Sequence, residues 1–195
     1  PRRSMTPRNI NQYPICPTQL VMNICIDTPR LILRRWRESD AEALYACASD
    51  GRVSEMALWP RHTSVEMSRR VINEFFIPNP YNLAMVLKDT DTPVGCIGLV
   101  PSGDEHPVPL PGEREIGYWI GHPYWGRGLT SEALEAFVRF CKESLKLSSL
   151  LITVDARNRA SRRVAEKCGF LLVGDLDFNG IPTKIFRLHL TPSPQ

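Results

Sequence analysis

One stretch, "EIGYWIGHPYWGRGLTSEALEAFVRF" from Glu115 to Phe140, limits the possible folds more than any other. It opens with aromatic, β-prone residues and closes with apolar residues at helical spacing. Between them stand Gly126 and Gly128, with no acid immediately before the helix. A helix entered through glycines offers unpaired N–H groups and the positive end of its dipole. Without a Cβ in the way, that backbone approaches an anion closely, and Arg127 adds a cation at the same place. A βα turn with well-placed glycines accounts for the same letters. Other phosphate-binding patterns fit less well: there is no Lys-Ser/Thr pair for a P-loop, and Leu129, Thr130 and Ser131 after Gly128 break GxGxxG.

The rest of the chain supplies a sheet for this unit. "RLILRRW", Arg30 to Trp36, alternates as a first strand. Ser39-Asp40 cap a helix in "DAEALYACAS" that Gly51 ends, and Thr63-Ser64 start a second in "SVEMSRRVINEFF". "YNLAMVLK" and "PVGCIGLV" are strands on either side of "DTDTP". A proline-rich loop from Pro101 to Glu113 leads into the fourth strand and a helix from Thr130 towards Lys146. "SLLITVD" is a buried fifth strand, Asn158 caps a helix that Gly169 ends, and "FLLVGDL" and "TKIFRLHL" finish the sheet. The order β-α-α-β-β-β-α-β-α-β-β predicts one α/β domain with a mixed sheet over residues 28–190. Residues 1–27 read as a poorly structured extension in which Met22 is a natural start, and residues 191–195 as a tail.

Composition removes several classes of function. A net charge of +3 gives no basic stripe for nucleic acid, and no apolar run is long enough to cross a bilayer. The six cysteines include no CxxC pair, and His62, His106, His122 and His189 lack ligand spacing, so no metal is expected. The same cysteine usage points to a reducing, cytoplasmic setting. Oligomeric state is not legible.

Four features together carry a family resemblance: "TPRLILR" from Thr28, "GYW" at Gly117–Trp119, Trp125 before the glycines, and Asn158, Ser161 and "KCGF" from Lys167. The chain resembles the GNAT acyltransferase superfamily, whose acetyl-CoA signature is Gln/Arg-x-x-Gly-x-Gly/Ala, and within it the branch of ribosomal-protein N-terminal acetyltransferases. That resemblance implies a mostly antiparallel sheet with helices on both faces, its fourth and fifth strands splayed for acetyl-CoA. It implies that the main chain of Tyr118, Trp119 and Ile120 pairs with the pantetheine arm. The amides of Gly126, Arg127, Gly128, Leu129, Thr130 and Ser131 would hold the pyrophosphate, with Asn158 near the pantetheine and Ser161 near the sulfur. Thr130 departs from the pattern, which has Gly or Ala there.

The activity implied is direct acetyl transfer to a primary amine, on a protein N-terminus or a small molecule; the alternative is a non-catalytic acyl-CoA-binding module. Transfer requires a neutral amine, a donor for the oxyanion, expected from a backbone N–H of the fourth strand, and a proton for the departing thiolate. Glu115 is the candidate base, with Glu113 second. Ser161 is the candidate proton donor, with Tyr118 and Tyr124 as alternatives. His122 reads as a turn residue and Glu132 as a first-turn helix acid. The acceptor site is expected among the first two helices, the Pro101–Glu113 loop and the turn in "DFNGIPTK". There Asp104, Glu105, Asp175 and Asp177 make an acidic rim suited to a cationic amine.

Overall fold

In the computed structural model, which describes residues 24–190, the alternation within "NLAMVL" orients the whole molecule. Leu83 and Met85 enter one core with Leu31, Leu33, Ile97 and Phe137, while Ala84 and Val86 enter a second with Trp36, Leu44 and Ile72. Period-2 side chains thus bury both faces of the sheet. The strands are β1 (Cys25–Asp27), β2 (Leu31–Arg35), β3 (Asn82–Leu87), β4 (Thr92–Leu99), β5 (Glu113–Ile120), β6 (Ser149–Asp155), β7 (Leu171–Phe178) and β8 (Ile181–His189). The helices are α1 (Ala41–Ala48), α2 (Gly51–Ala57), α3 (Val65–Val71), α4 (Leu129–Glu143) and α5 (Arg159–Lys167). The sheet order is β1-β2-β3-β4-β5-β6-β8-β7, and among the described residues only the β5–β6 pair is parallel. Helix α4 buries Leu129, Ala133, Leu134, Phe137 and Cys141 against one face, the stripe a 3.6-residue period demands. Helices α1 and α3 cover the other face. The predicted mixed sheet with helices on both faces is the fold observed. Among the described residues no helix is long and apolar enough to cross a membrane.

Three local expectations need correction. Cys25–Asp27, assigned by sequence to the extension, pair with Asp27↔Ile32 through Cys25↔Arg34 of β2; three residues are too few to show a period. The remainder of the extension, residues 1–23, and the tail, 191–195, lie outside the described residues. Gly51 does not simply end a helix but begins α2, because the Asp50 carboxylate accepts the Arg52 N–H (2.9 Å) and caps a new one. Asp40 precedes α1 without capping it; its carboxylate instead takes the Arg34 guanidinium (2.8 and 2.9 Å) and the Arg37 N–H (2.8 Å). Helix α3 continues into a π-helical turn, Ile72–Phe76, which has no signature in the hydrophobic pattern.

Candidate active site

The sheet divides in its middle. β5 and β6 pair only at Glu113↔Ser149, Arg114↔Leu150 and Glu115↔Leu151. Past that point β5 stays with β4 as far as Ile120, and β6 stays with β8 as far as Asp155. A gap opens between two strands that were neighbours. The Tyr118 side chain bridges it: Ser161 Oγ donates to the Tyr118 hydroxyl (3.0 Å), which donates to the Ser161 carbonyl oxygen (3.1 Å). Burial pushes that phenol above its ordinary range, so it keeps its proton at neutral pH.

Ladder parity decides which main-chain groups of β5 face the gap. The Val100 N–H donates to the Glu115 carbonyl (2.9 Å) and the Gly121 N–H to that of Val94 (2.8 Å). Odd-numbered residues from Glu115 to Gly121 therefore turn towards β4. Trp119, expected to offer its main chain to a ligand, is committed to Cys96 instead. Tyr118 and Ile120 face the gap, although the Ile120 carbonyl already accepts the Trp125 indole N–H (2.9 Å). The Tyr118 N–H and carbonyl and the Ile120 N–H remain.

The glycine turn lies at the mouth of that gap. Gly126 (φ 73°) and Gly128 (φ 75°) are both left-handed, a conformation that side chains resist, and Gly128 is the N-cap of α4. Glu132 is the first residue whose N–H returns to the helix, bonding to the Gly128 carbonyl (3.1 Å). The N–H groups of Leu129, Thr130 and Ser131 precede any helical acceptor, and a glycine cap supplies no side chain to them. The turn is tied from behind. The Glu132 carboxylate accepts the Thr28 hydroxyl (2.7 Å), the Arg30 N–H (2.7 Å) and the Arg30 guanidinium (2.7 Å). Arg30 also donates to the Arg127 carbonyl (2.9 Å). Burial alone would raise the Glu132 carboxyl, and these bonds hold it below its ordinary range. Glu132 is thus the anchor of the turn. "TPR" and Glu132 were both visible in the sequence, but no local pattern joins residues about a hundred positions apart.

Two clefts meet at the gap. One, of about 480 Å³, runs from the glycine turn to the start of α5, past Tyr118, Ile120 and Tyr124. Thr130 and Ser131 line it, with Arg157 just before α5 and Arg159 and Arg163 on it. The other, of about 940 Å³, is enclosed by α2, α3, the π turn and the edges of β4, β5 and β6. Tyr118, Trp119, Asn158 and Ser161 belong to both. Asn158 sits at the junction as the N-cap of α5, its Oδ1 accepting the Ser161 N–H (3.0 Å). Arg127 lies over the Tyr124 ring at 5.4 Å, and the His122 ring packs tilted against Trp125 at 4.8 Å and 57°.

Glu115 lies in the second cleft where β5 and β6 part, and is 6 % exposed. It accepts the Thr153 hydroxyl (2.5 Å) and the His106 N–H (3.0 Å). Burial pushes its carboxyl above the ordinary range despite these two bonds. Glu113 differs in kind. It takes the Arg187 guanidinium (2.8 Å), the Ser149 hydroxyl (2.6 Å) and the Leu110 N–H (3.0 Å). Burial alone would raise it; those bonds hold it low. Glu113→Ala should cost about 3 kcal/mol of stability in urea unfolding, because Arg187 loses a fully buried counter-charge. With its carboxyl depressed in the fold, Glu113 contributes stability above the unfolded pKa that disappears as pH falls through the folded one. The variant should therefore lack that part of the acid dependence.

The expected acidic rim does not border the second cleft. Glu105 is paired with Arg114 (2.8 Å), Asp175 with Lys184 (2.8 Å), and Asp177 accepts the Gly180 N–H (2.6 Å). The Pro101–Glu113 loop and the β7–β8 turn pack on each other instead, His106 against Phe178 at 5.3 Å. Of that loop, Pro101 and the strands' own residues reach the cleft.

Residues 30–171 match the family described as Acetyltransferase (GNAT) domain. The chain is 30% identical over 155 residues to "Uncharacterized N-acetyltransferase YoaA" of Bacillus subtilis, covering 77% of this chain and 85% of that protein. It is 27% identical over 144 residues to "Ribosomal-protein-serine acetyltransferase" of Escherichia coli, covering 71% and 78%. Its fold is that of RimL, a ribosomal L7/L12 α-N-protein acetyltransferase solved with coenzyme A: TM-score 0.71 at 20% identity, over 87% of this chain and all of that one. The chain belongs to the GNAT acetyltransferase family, and its activity is that of an N-acetyltransferase.

Proposed function

We propose that the chain moves an acetyl group from acetyl-CoA directly to a primary amine, with acyl donor and acceptor entering from opposite sides of the β5–β6 gap. The observation that carries this reading is the junction of two clefts at Tyr118 and Ser161. In the first cleft the amides from Gly126 to Ser131 hold the pyrophosphate, and Arg159 and Arg163 of α5 add positive charge. The pantetheine arm lies along Tyr118 and Ile120 as a partial extra strand, and Asn158 frames its far end. The coenzyme A bound to the similarly folded RimL supports the same donor here.

In the second cleft Glu115 removes the proton that the attacking amine must lose. The amine nitrogen bonds to the acyl carbon, and a β5 N–H facing the gap stabilises the oxyanion. When the carbon–sulfur bond breaks, the thiolate takes a proton from the Ser161–Tyr118 hydroxyl pair. The phenol is the stronger acid of the two, and Ser161 orients it. Acceptors are protein N-termini, as for the ribosomal-protein relatives, or small amines.

Amine-dependent release of CoA thiol tests the reading. Purified chain with acetyl-CoA and a mixed amine panel should release thiol only when an amine is present. Saturable acetyl-CoA binding without acceptor-dependent release would favour the non-catalytic module.

A further inference from the structure

The second cleft has an unusual distribution of unused chemistry. Most of its uncharged polar side chains already have a partner within the protein. Asn79 donates to the Leu99 carbonyl (3.0 Å) and accepts the Tyr81 N–H (3.0 Å), and Asn82 Oδ1 accepts the Cys96 thiol (2.7 Å). His62 Nδ1 is bonded to Ser68 Oγ (2.8 Å), and Asp155 is paired with Arg157 (2.6 Å). Glu115 and Thr153 hold each other, which leaves Arg70 on α3 and Glu74 on the π turn, both exposed, as the charged lining side chains with no partner among the described residues.

What the cleft does offer is ring surface. Trp59, Phe75, Phe76 and Trp119 line it; Trp59 meets Trp119 edge-on at 5.8 Å, and the buried Trp36 backs Trp119 (6.4 Å, 24°) and Phe76 (5.0 Å) from behind the wall. Phe75, 64 % exposed, and Leu58, 45 % exposed, stand at the entrance. A polyamine needs a carboxylate for each distant ammonium, and a peptide needs free donors and acceptors along its main chain. Among the lining residues Glu74, at the exposed π turn, is the one carboxylate left for a distant ammonium, and the gap-facing main chain of Tyr118 and Ile120 is taken by the pantetheine arm, so each need is met only in part and unpaired polar groups of a bound ligand are costly. A cage for an ammonium alone would be far smaller than about 940 Å³.

Resting on the acetyltransferase reading, we infer that the acceptor is a small primary amine carried on an apolar, ring-sized body: the ring against Trp59 and Trp119, the amine at Glu115. Transfer forms the bond from nitrogen to acyl carbon and breaks the one from carbon to sulfur. The amine proton leaves through Glu115 and the thiolate gains one from the hydroxyl pair.

The test compares kcat/KM for 2-phenylethylamine and tryptamine with that for spermidine and for a short peptide with an N-terminal serine. The arylalkylamines should exceed the others by about a hundredfold, the effect of burying one ring in a fitted apolar wall. Trp59→Ala should raise KM for tryptamine at least about tenfold, while Trp59→Phe retains most of the preference. CoA affinity, read by calorimetry, should be the same in both variants, since Trp59 lies outside the first cleft; a lost CoA affinity would put Trp59 in the donor site and overturn its assignment to the acceptor. Spermidine or the serine peptide used as well as tryptamine overturns the inference and leaves the acetyltransferase reading intact. Failure of every amine, with CoA still bound, overturns both.

Discussion

Glu115→Gln should lower kcat by on the order of 10²–10³ while leaving KM for acetyl-CoA unchanged. The amide keeps the shape of the site: one atom accepts the His106 N–H and the other donates to the Thr153 hydroxyl, so the strands stay parted where they are. What is lost is the ability to take a proton. The wild-type rate should rise with pH as Glu115 ionises, at a pH above the ordinary glutamate range because burial favours its neutral form. A second rise belongs to the amine itself, near pH 8 for an α-amine. In the Gln variant the lower limb should disappear and the upper one remain. A Gln variant within about threefold of wild type, with both limbs intact, would remove Glu115 from the chemistry.

Gly128→Val should weaken CoA binding by about a hundredfold or more, with only a small loss of thermal stability. Space is not the obstacle, since an added Cβ would sit 3.7 Å from Arg30 Nη2, an ordinary contact. Conformation is. At φ 75° a β-branched residue is strained by about 1–2 kcal/mol, and the turn relieves this by rotating its N–H groups away from the ligand. Losing two charge-assisted hydrogen bonds, each worth about 1.5–3 kcal/mol, accounts for the hundredfold. Gly128→Asn is the control. Asparagine adds the same Cβ but tolerates the left-handed region, so it should retain most of the affinity. Equal losses in both variants would mean that contact, not backbone conformation, sets the requirement.

The glycine turn and α4 were legible because both are local. A strand, two positive-φ glycines and an apolar stripe lie within one short stretch, and each carries a period or a residue type of its own. The N-cap role of Asn158 was legible for the same reason. Long-range pairing was not. That Trp119 turns its main chain to β4 follows from the register against Val94 and Val100, which no pattern within β5 records. The tie of Thr28 and Arg30 to Glu132, and the hold of Thr153 on Glu115, each join segments distant in sequence. Glu113 and Glu115 look equivalent as letters. Each accepts one hydroxyl and one backbone amide, and Arg187 of β8 separates them by giving Glu113 alone a guanidinium. The acidic rim failed because the charges that neutralise Glu105 and Asp175 come from neighbouring strands.

The most direct measurement is an amide-resolved NMR titration of the isotope-labelled chain with CoA. The N–H groups of Leu129, Thr130 and Ser131 should shift together with those of Tyr118 and Ile120, while Trp119, bonded to β4, moves least. CoA binding that leaves Leu129 to Ser131 unmoved, or that perturbs Trp119 as strongly as its two neighbours, would contradict a phosphate held at the start of α4 and an arm laid into the parted sheet.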